Sequence, residues 1–244
     1  MNVQATLREK MRSGTLHMTL LDPNKQAPDM AAKITGEACE LGTDAIMVGG
    51  STGVTQENLD ATIVAIKARV DVPVIYFPSG AHAISPHSDA IYFMSMLNSR
   101  LVEMTTRQQM KGAPIVRKLG IEPISMGYVI VAPGMKVGEV GQADCVPRDR
   151  PDIAAAYALA AQYMGMQSVY LEAGSGAPQH VPEEMIRAVR STIDIPLLVG
   201  GGIRDAEAAS RVRKAGANIV VTGTIVENGN YRDRLASIIR AIKD

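Results

Sequence analysis

The stretch Val169-Tyr170-Leu171-Glu172-Ala173-Gly174-Ser175-Gly176 carries the residue types from which a small-molecule site can be built. It starts as an apolar run of the length of a buried strand, ends that run on a carboxylate, Glu172, and then breaks into Gly174-Ser175-Gly176. A serine bracketed by glycines after a strand exposes backbone N–H groups and lets an anion approach the main chain closely. Glu172 cannot serve that anion, because like charges repel. Its expected partner is a hydroxyl on the same ligand, whose proton it is placed to take; the alternative is a structural carboxylate. Two later turns, Gly200-Gly201-Gly202 and Gly223-Thr224, repeat the glycine pattern.

A second carboxylate, Asp22, ends the apolar run 16–21 and precedes Pro23. It reads either as a turn or N-cap residue or as a protein ligand for Mg²⁺, an ion that takes one or two carboxylates plus substrate phosphates. Ser51 or Thr52, after the next run, offers an oxygen to the same ion. His17 lies inside the first run and reads as a hydrogen-bonded core histidine rather than a catalytic one. His82, His87 and His180 show no metal-ligand spacing. Fourteen methionines and no tryptophan suit adaptable packing or an apolar wall for a long ligand.

The elements that position these groups are legible as strand-length apolar runs at 16–21, 45–48, 73–77, 90–94, 123 or 124 to 131, 168–171, 196–199 and 219–221. Helical patterns follow most of them, at 28–41, 58–70, from about 105 to 118, 151–164, 182–192, 206–215 behind an Asp205 cap, and 231–242. Between the third and fourth runs Pro78, Gly80 and Pro86 forbid a normal helix, so that crossover is expected to be a loop or extended segment. The excursion 133–150 is longer than most βα loops. Eight strands alternating with helices in one domain, 1–244, predict a closed (β/α)₈ barrel. The open doubly wound alternative lacks its G-x-G-x-x-G turn after the first strand. In a barrel, Asp22, Ser51, Glu172 and the three glycine turns share one face, and the turns after strands seven and eight are the usual phosphate grip.

Composition removes several classes. Lys plus Arg and Asp plus Glu number 25 each, so no basic field invites nucleic acid. Cys39 and Cys145 show no C-x-x-C spacing and read as free thiols in a reducing compartment. The first twenty residues hold Arg8, Lys10 and Arg12 and no apolar signal-peptide core, and no run of about 18 apolar residues occurs. The expectation is a soluble cytoplasmic protein.

Over nearly its full length the chain resembles the geranylgeranylglyceryl phosphate synthase family of archaeal-type prenyltransferases. The resemblance rests on His17-Met-Thr-Leu-Leu-Asp22-Pro, Gly49-Gly-Ser-Thr52, Phe93-Met-Ser-Met-Leu-Asn98, Pro151-Asp-Ile-Ala-Ala-Ala-Tyr157, Tyr170 through Pro178, Val199-Gly-Gly-Gly-Ile-Arg204 and Thr222-Gly-Thr224. The Gly-Gly-Gly-Ile-Arg turn is common to many phosphate-binding barrels; the string from Tyr170 to Pro178 is far more specific.

It implies Asp22 and Ser51 as Mg²⁺ ligands. It implies Tyr170, Leu171, Glu172, Ala173, Gly174, Ser175, Gly176, Gly201, Gly202, Gly223 and Thr224 as the sn-glycerol 1-phosphate site. Geranylgeranyl diphosphate would be the donor, and a barrel lacking a regular third helix the frame. Two departures stand out: Arg100-Leu-Val-Glu-Met104 replaces an aromatic-rich segment of relatives, and Gly138-Glu139-Val140 lacks an aromatic that some higher oligomers use. The second departure argues against a hexamer; a homo-dimer is the default expectation, because symmetric assembly is common and the barrel's helices must be covered somewhere, with membrane contact only peripheral, for product release. The competing readings are the bacterial-type heptaprenylglyceryl phosphate synthase, with a longer donor, and a phosphosugar isomerase of histidine- or tryptophan-biosynthesis type. The histidine-type isomerases need an acid and a base at opposed strand ends, whereas the fifth run ends in Val131-Ala132-Pro133 without a carboxylate.

Overall fold

The computed structural model describes residues 2–227 and 229–244. Its strands are β1 (Leu16–Leu21), β2 (Ala45–Val48), β3 (Val74–Tyr76), β4 (Ala90–Met96), β5 (Glu122–Ile130), β6 (Ser168–Glu172), β7 (Leu197–Gly200) and β8 (Ile219–Thr222). All pair in parallel in chain order, and β8 closes on β1. The helices are α1 (Val3–Met11), α2 (Pro28–Glu40), α3 (Gln56–Lys67), α4 (Gln108–Leu119), α5 (Met135–Val140), α6 (Pro151–Tyr163), α7 (Glu183–Thr192), α8 (Ala206–Lys214) and α9 (Arg232–Lys243). The fold is a (β/α)₈ barrel.

Strand alternation sorts the core into two layers. Met18, Met47, Ile75, Tyr92, Met126, Tyr170, Leu198 and Val221 fill the barrel interior. Their neighbours Leu21, Ile46, Tyr76, Leu171, Val199 and Val220 pack under the helices. Inside, Phe77, Tyr92, Tyr128 and Tyr170 form a cluster with ring centroids 5.3 to 6.2 Å apart, a spacing that suits edge-to-face contact. His17 points to the outer layer, with Nδ1 2.6 Å from Thr43 Oγ1 and Nε2 2.9 Å from Thr222 Oγ1. Burial first, and Lys243 second, push its pKa down to about 3, so it stays neutral. The expected core histidine is what the structure shows.

Three local features depart from the sequence reading. Helix α1 was not expected. Only Val3 and Leu7 of it are buried, too narrow a stripe to read, and the helix is held by the Glu122 carboxylate, which accepts from Val3 N and Gln4 N at 2.6 and 3.0 Å. The helix expected from about 105 begins as a π-helical turn, Glu103–Arg107, before α4. That widened turn leaves carbonyls to other donors: Ser95 Oγ donates to Thr105 O at 2.8 Å and Gln109 Nε2 to Met104 O at 3.1 Å. Helix α5 interrupts the excursion after β5. It is six residues long with glycine at each flank, so only tertiary contacts can support it. Asn98 ties that region to the barrel, donating to Ile130 O and Asp144 O at 2.8 and 3.0 Å.

The crossover from β3 to β4 holds no helix among the described residues. One face of β3 and β4 is therefore left without its usual helical cover, as the prolines and glycine there predicted.

Candidate active site

The site lies at the barrel mouth, on the C-terminal strand ends. Glu172 ends β6 and is only 7% exposed. Its Oε1 accepts from Gly174 N at 2.6 Å, and Tyr170, two residues earlier on the same strand, lines the same cavity. Burial raises the Glu172 pKa, and the nearby Tyr170 hydroxyl and the Gly174 N–H pull it partly back. A carboxylate kept short of water in this way is a better proton acceptor than a free one.

A cavity of about 230 Å³ opens above it. Tyr170, Glu172, Ser175, Gly176, Gly201, Gly202, Gly223 and Thr224 line it, so eight of the eleven residues expected to hold glycerol phosphate meet in one place. The other three do not line it. Leu171 and Ala173 face the outer layer, where alternation along β6 sends them, and they support the site from behind. The Gly174 N–H is already taken by Glu172. The turns are tied together: Ser175 Oγ lies 2.9 Å from Thr224 Oγ1, and the Arg204 guanidinium donates to Gly176 O and Ala177 O at 2.8 and 2.9 Å. Gly202 has φ +69, and a Cβ there would strike the Gln179 and His180 backbone. The loop after β6 is thus packed directly on the turn after β7. With a short 3₁₀ turn, Thr224–Glu227, leading away from β8, the arrangement is that of a phosphate grip.

Across the mouth, Asp22 follows β1 and is half-buried. Burial is the main influence raising its pKa, opposed by the Asn24 amide, which donates to Oδ1 at 2.9 Å, and by Lys25. Gly50 lets the carboxylate lie flat on the turn after β2, since a Cβ there would sit 2.5 Å from Asp22 Oδ2. Ser51, one residue on, lines a second cavity that shares Glu172 and Ser175 with the first. One carboxylate and one hydroxyl are hard oxygen donors that suit Mg²⁺, which keeps waters and draws further ligands from a phosphorylated substrate. No cluster of three or more His, Cys, Asp or Glu occurs among the described residues.

From Ser51 the second cavity runs past Phe77, Pro78, Met94, Met96 and Met104. It continues along Ile84, Ile91 and Val116, beside α4. This apolar groove occupies the place where a third barrel helix would lie. The sequence reading offered the methionines as an apolar wall for a long ligand but did not name these residues. The helix-free crossover was the signal that could have found them. It also missed Arg234, which reaches the first cavity from α9.

The comparisons with known proteins agree with this geometry. A family model described as the PcrB family matches residues 5–243. The chain belongs to the PcrB family. It is 50% identical over 242 residues to geranylgeranylglyceryl phosphate synthase of Pyrococcus horikoshii, covering 99% of this chain and 95% of that one. To the Methanococcoides burtonii protein of the same name it is 52% identical over 234 residues, 95% of each. A crystal structure of the Thermoplasma acidophilum (S)-3-O-geranylgeranylglyceryl phosphate synthase, in complex with sn-glycerol-1-phosphate, superposes with a TM-score of 0.97. The two are 48% identical, covering 100% of this chain and 99% of that one. The tryptophan synthase alpha chain of Legionella pneumophila, 13% identical at a TM-score of 0.66, shares the fold alone. As a PcrB-family member the chain is an enzyme, a prenyltransferase. No helix among its described residues is long and apolar enough to cross a membrane.

Proposed function

We propose that this enzyme joins geranylgeranyl diphosphate to the C3 hydroxyl of sn-glycerol 1-phosphate, the first committed step toward archaeal ether lipids. The observation that carries the reading is the position of Glu172. It is the one carboxylate lining both cavities, so it stands where a phosphate-anchored hydroxyl would meet an apolar chain. The relatives from Pyrococcus horikoshii and Methanococcoides burtonii, named for this reaction, support it.

The phosphate of the acceptor is held by the turns after β6, β7 and β8, which fixes its glycerol end beside Glu172. That placement converts an encounter into a near-attack geometry. Glu172 orients the C3 hydroxyl and takes its proton as the oxygen attacks C1 of the donor. The new C–O ether bond forms as the C–O bond to diphosphate breaks, and the electron pair leaves with the diphosphate. Mg²⁺, held by Asp22 and Ser51, would neutralise the charge building on that leaving group. Phe77 and Tyr128 line the start of the groove and are the aromatic rings available to an allylic carbon gaining positive charge. The groove itself excludes water from that carbon.

The product is a phosphate headgroup on an apolar chain, so release is expected at a membrane surface, with the protein bound only peripherally. A homo-dimer remains the expected assembly; Tyr163 and Met164, 79% and 70% exposed at the end of α6, are apolar side chains that a second copy would cover. The test is incubation with sn-glycerol 1-phosphate, Mg²⁺ and allylic diphosphates from C10 to C35, followed by mass spectrometry. A C20 ether formed only with Mg²⁺ is expected. Preference for the longest donor would move the chain to the heptaprenyl type, and no ether with any donor would overturn the reading.

A further inference from the structure

Two guanidinium groups line the polar cavity, Arg204 and Arg234. They are not equivalent. Arg204 is engaged by the protein through Nη2, which donates to Gly176 O and Ala177 O and so holds the turn after β6 in shape. Arg234 lies at the cavity rim, and among the described residues its side chain makes no hydrogen bond or ion pair.

Its place in α9 sharpens the contrast. Arg232 and Arg234 both fall in the first turn of the helix, where a cation opposes the helix dipole. Arg232 is compensated by Glu37 and Glu40, at 3.6 and 2.9 Å. Nothing described compensates Arg234, and the only carboxylate lining the cavity, Glu172, is buried and already bonded to Gly174. Apart from Arg204, whose charge is turned toward the Gly176 and Ala177 carbonyls, the cavity walls offer backbone N–H groups and hydroxyls, which are neutral. A phosphate monoester brings about 1.5 to 2 negative charges at neutral pH, next to a carboxylate that must keep its own charge to accept a proton.

We infer that Arg234 is the cation that meets the phosphate of the acceptor, closing the cavity from the α9 side and offsetting the repulsion from Glu172. This assignment rests on the proposed acceptor. It gives the grip two parts: neutral backbone donors that fix position, and a charge-assisted donor from the last helix. It also predicts that Arg234 acts on the acceptor alone, because the donor's groove lies on the other side of the mouth and Arg234 does not line it.

The experiment is calorimetric titration of sn-glycerol 1-phosphate into the wild type, R234Q and R234K, with steady-state kinetics on the same proteins. R234Q is expected to weaken glycerol-phosphate binding about tenfold, the size of one charge-assisted hydrogen bond. KM for the acceptor should rise in parallel, with KM for the donor unchanged, kcat within about twofold and the melting temperature unaltered. R234K should recover part of the loss, because it restores the charge without the planar fork. Equal glycerol-phosphate affinity in wild type and R234Q would overturn the role of Arg234 while leaving the acceptor assignment in place. Failure of the wild type itself to bind glycerol phosphate would overturn both. A loss in R234Q that falls equally on acceptor and donor would mark Arg234 as a structural residue and reject the inference.

Discussion

The two sides of the barrel mouth solve opposite problems. On the side of β6, β7 and β8 the walls are short turns, cross-tied by Ser175 with Thr224 and by Arg204 with the Gly176 and Ala177 carbonyls. On the side of β3, β4 and α4 they are Met94, Met96, Met104, Ile84 and Val116, with few polar atoms. A phosphate needs donors fixed in place before it arrives, because each hydrogen bond is directional and the reward for preorganisation is large. A prenyl chain needs only an apolar surface of the right length, and methionine, unbranched and flexible, supplies one that adapts. Glu172 stands on the boundary. One side of the site is therefore expected to be brittle toward substitution and the other tolerant.

The largest effect should come at the boundary itself. E172Q keeps an acceptor for the Gly174 N–H but loses the proton acceptor, so turnover should fall about 10²- to 10⁴-fold, measured by ether formation. The same change should stabilise the fold. The Glu172 pKa is raised in the folded protein, so the folded state holds its proton to higher pH than the unfolded chain. Stability therefore falls as pH rises from the ordinary glutamate value through the raised one, and stays reduced above it. A melting temperature for E172Q above that of wild type at neutral pH, with the difference vanishing in acid, is the expected result. In the wild type, activity should decline as pH drops through that raised value, giving an acid limb above the ordinary carboxylate range.

Next in size is D22N. Losing the carboxylate from the cation site should lower kcat/KM about a hundredfold, since charge neutralisation on a departing phosphoryl oxygen is worth several kcal/mol. Higher Mg²⁺ should recover part of the loss. Glycerol-phosphate affinity measured without metal should not change; if it did, the two sides would not be separable. G202A tests the brittle wall. A Cβ at φ +69 strains the backbone and meets the Gln179 and His180 main chain, costing about 1–3 kcal/mol. The melting temperature should drop, and glycerol-phosphate binding should weaken about tenfold while donor binding holds. M104A, in the groove, should be the mildest. Removing one wall side chain should change donor affinity by a few-fold and shift the preferred donor length, leaving acceptor KM untouched.

The same contrast explains what could be read from the sequence. The phosphate side was legible because close approach to a main chain demands glycine at set places, and Gly174, Gly176, Gly201, Gly202 and Gly223 stand one to four residues past strand ends. Periodicity gave the eight strands and the barrel, with β1 matching at both ends. Side-chain direction follows strand parity, which a motif does not state: Tyr170 faces the interior, whereas Leu171 and Ala173, named with the same motif, face the helices. The apolar side was legible only as a missing helix, because Met94, Met96 and Met104 look like ordinary core residues until a strand face is seen uncovered. Helix α1 and the short α5 escaped because their stability is tertiary, resting on Glu122 in one case and on the tie through Asn98 in the other. Arg234 carried a signal, an unpaired cation in the first turn of a helix, that needs the neighbouring Glu37–Arg232 and Glu40–Arg232 contacts before it can be interpreted.

The account's central claim is that the C3 oxygen of a phosphate-anchored glycerol attacks the donor across this boundary. Its most direct test is a turnover with sn-glycerol 1-phosphate carrying ¹⁸O at C3, together with geranylgeranyl diphosphate and Mg²⁺. The label is expected to be retained in full in the ether product and absent from the released diphosphate. Label missing from the ether, or a prenyl group found on the phosphate instead of on C3, would contradict it.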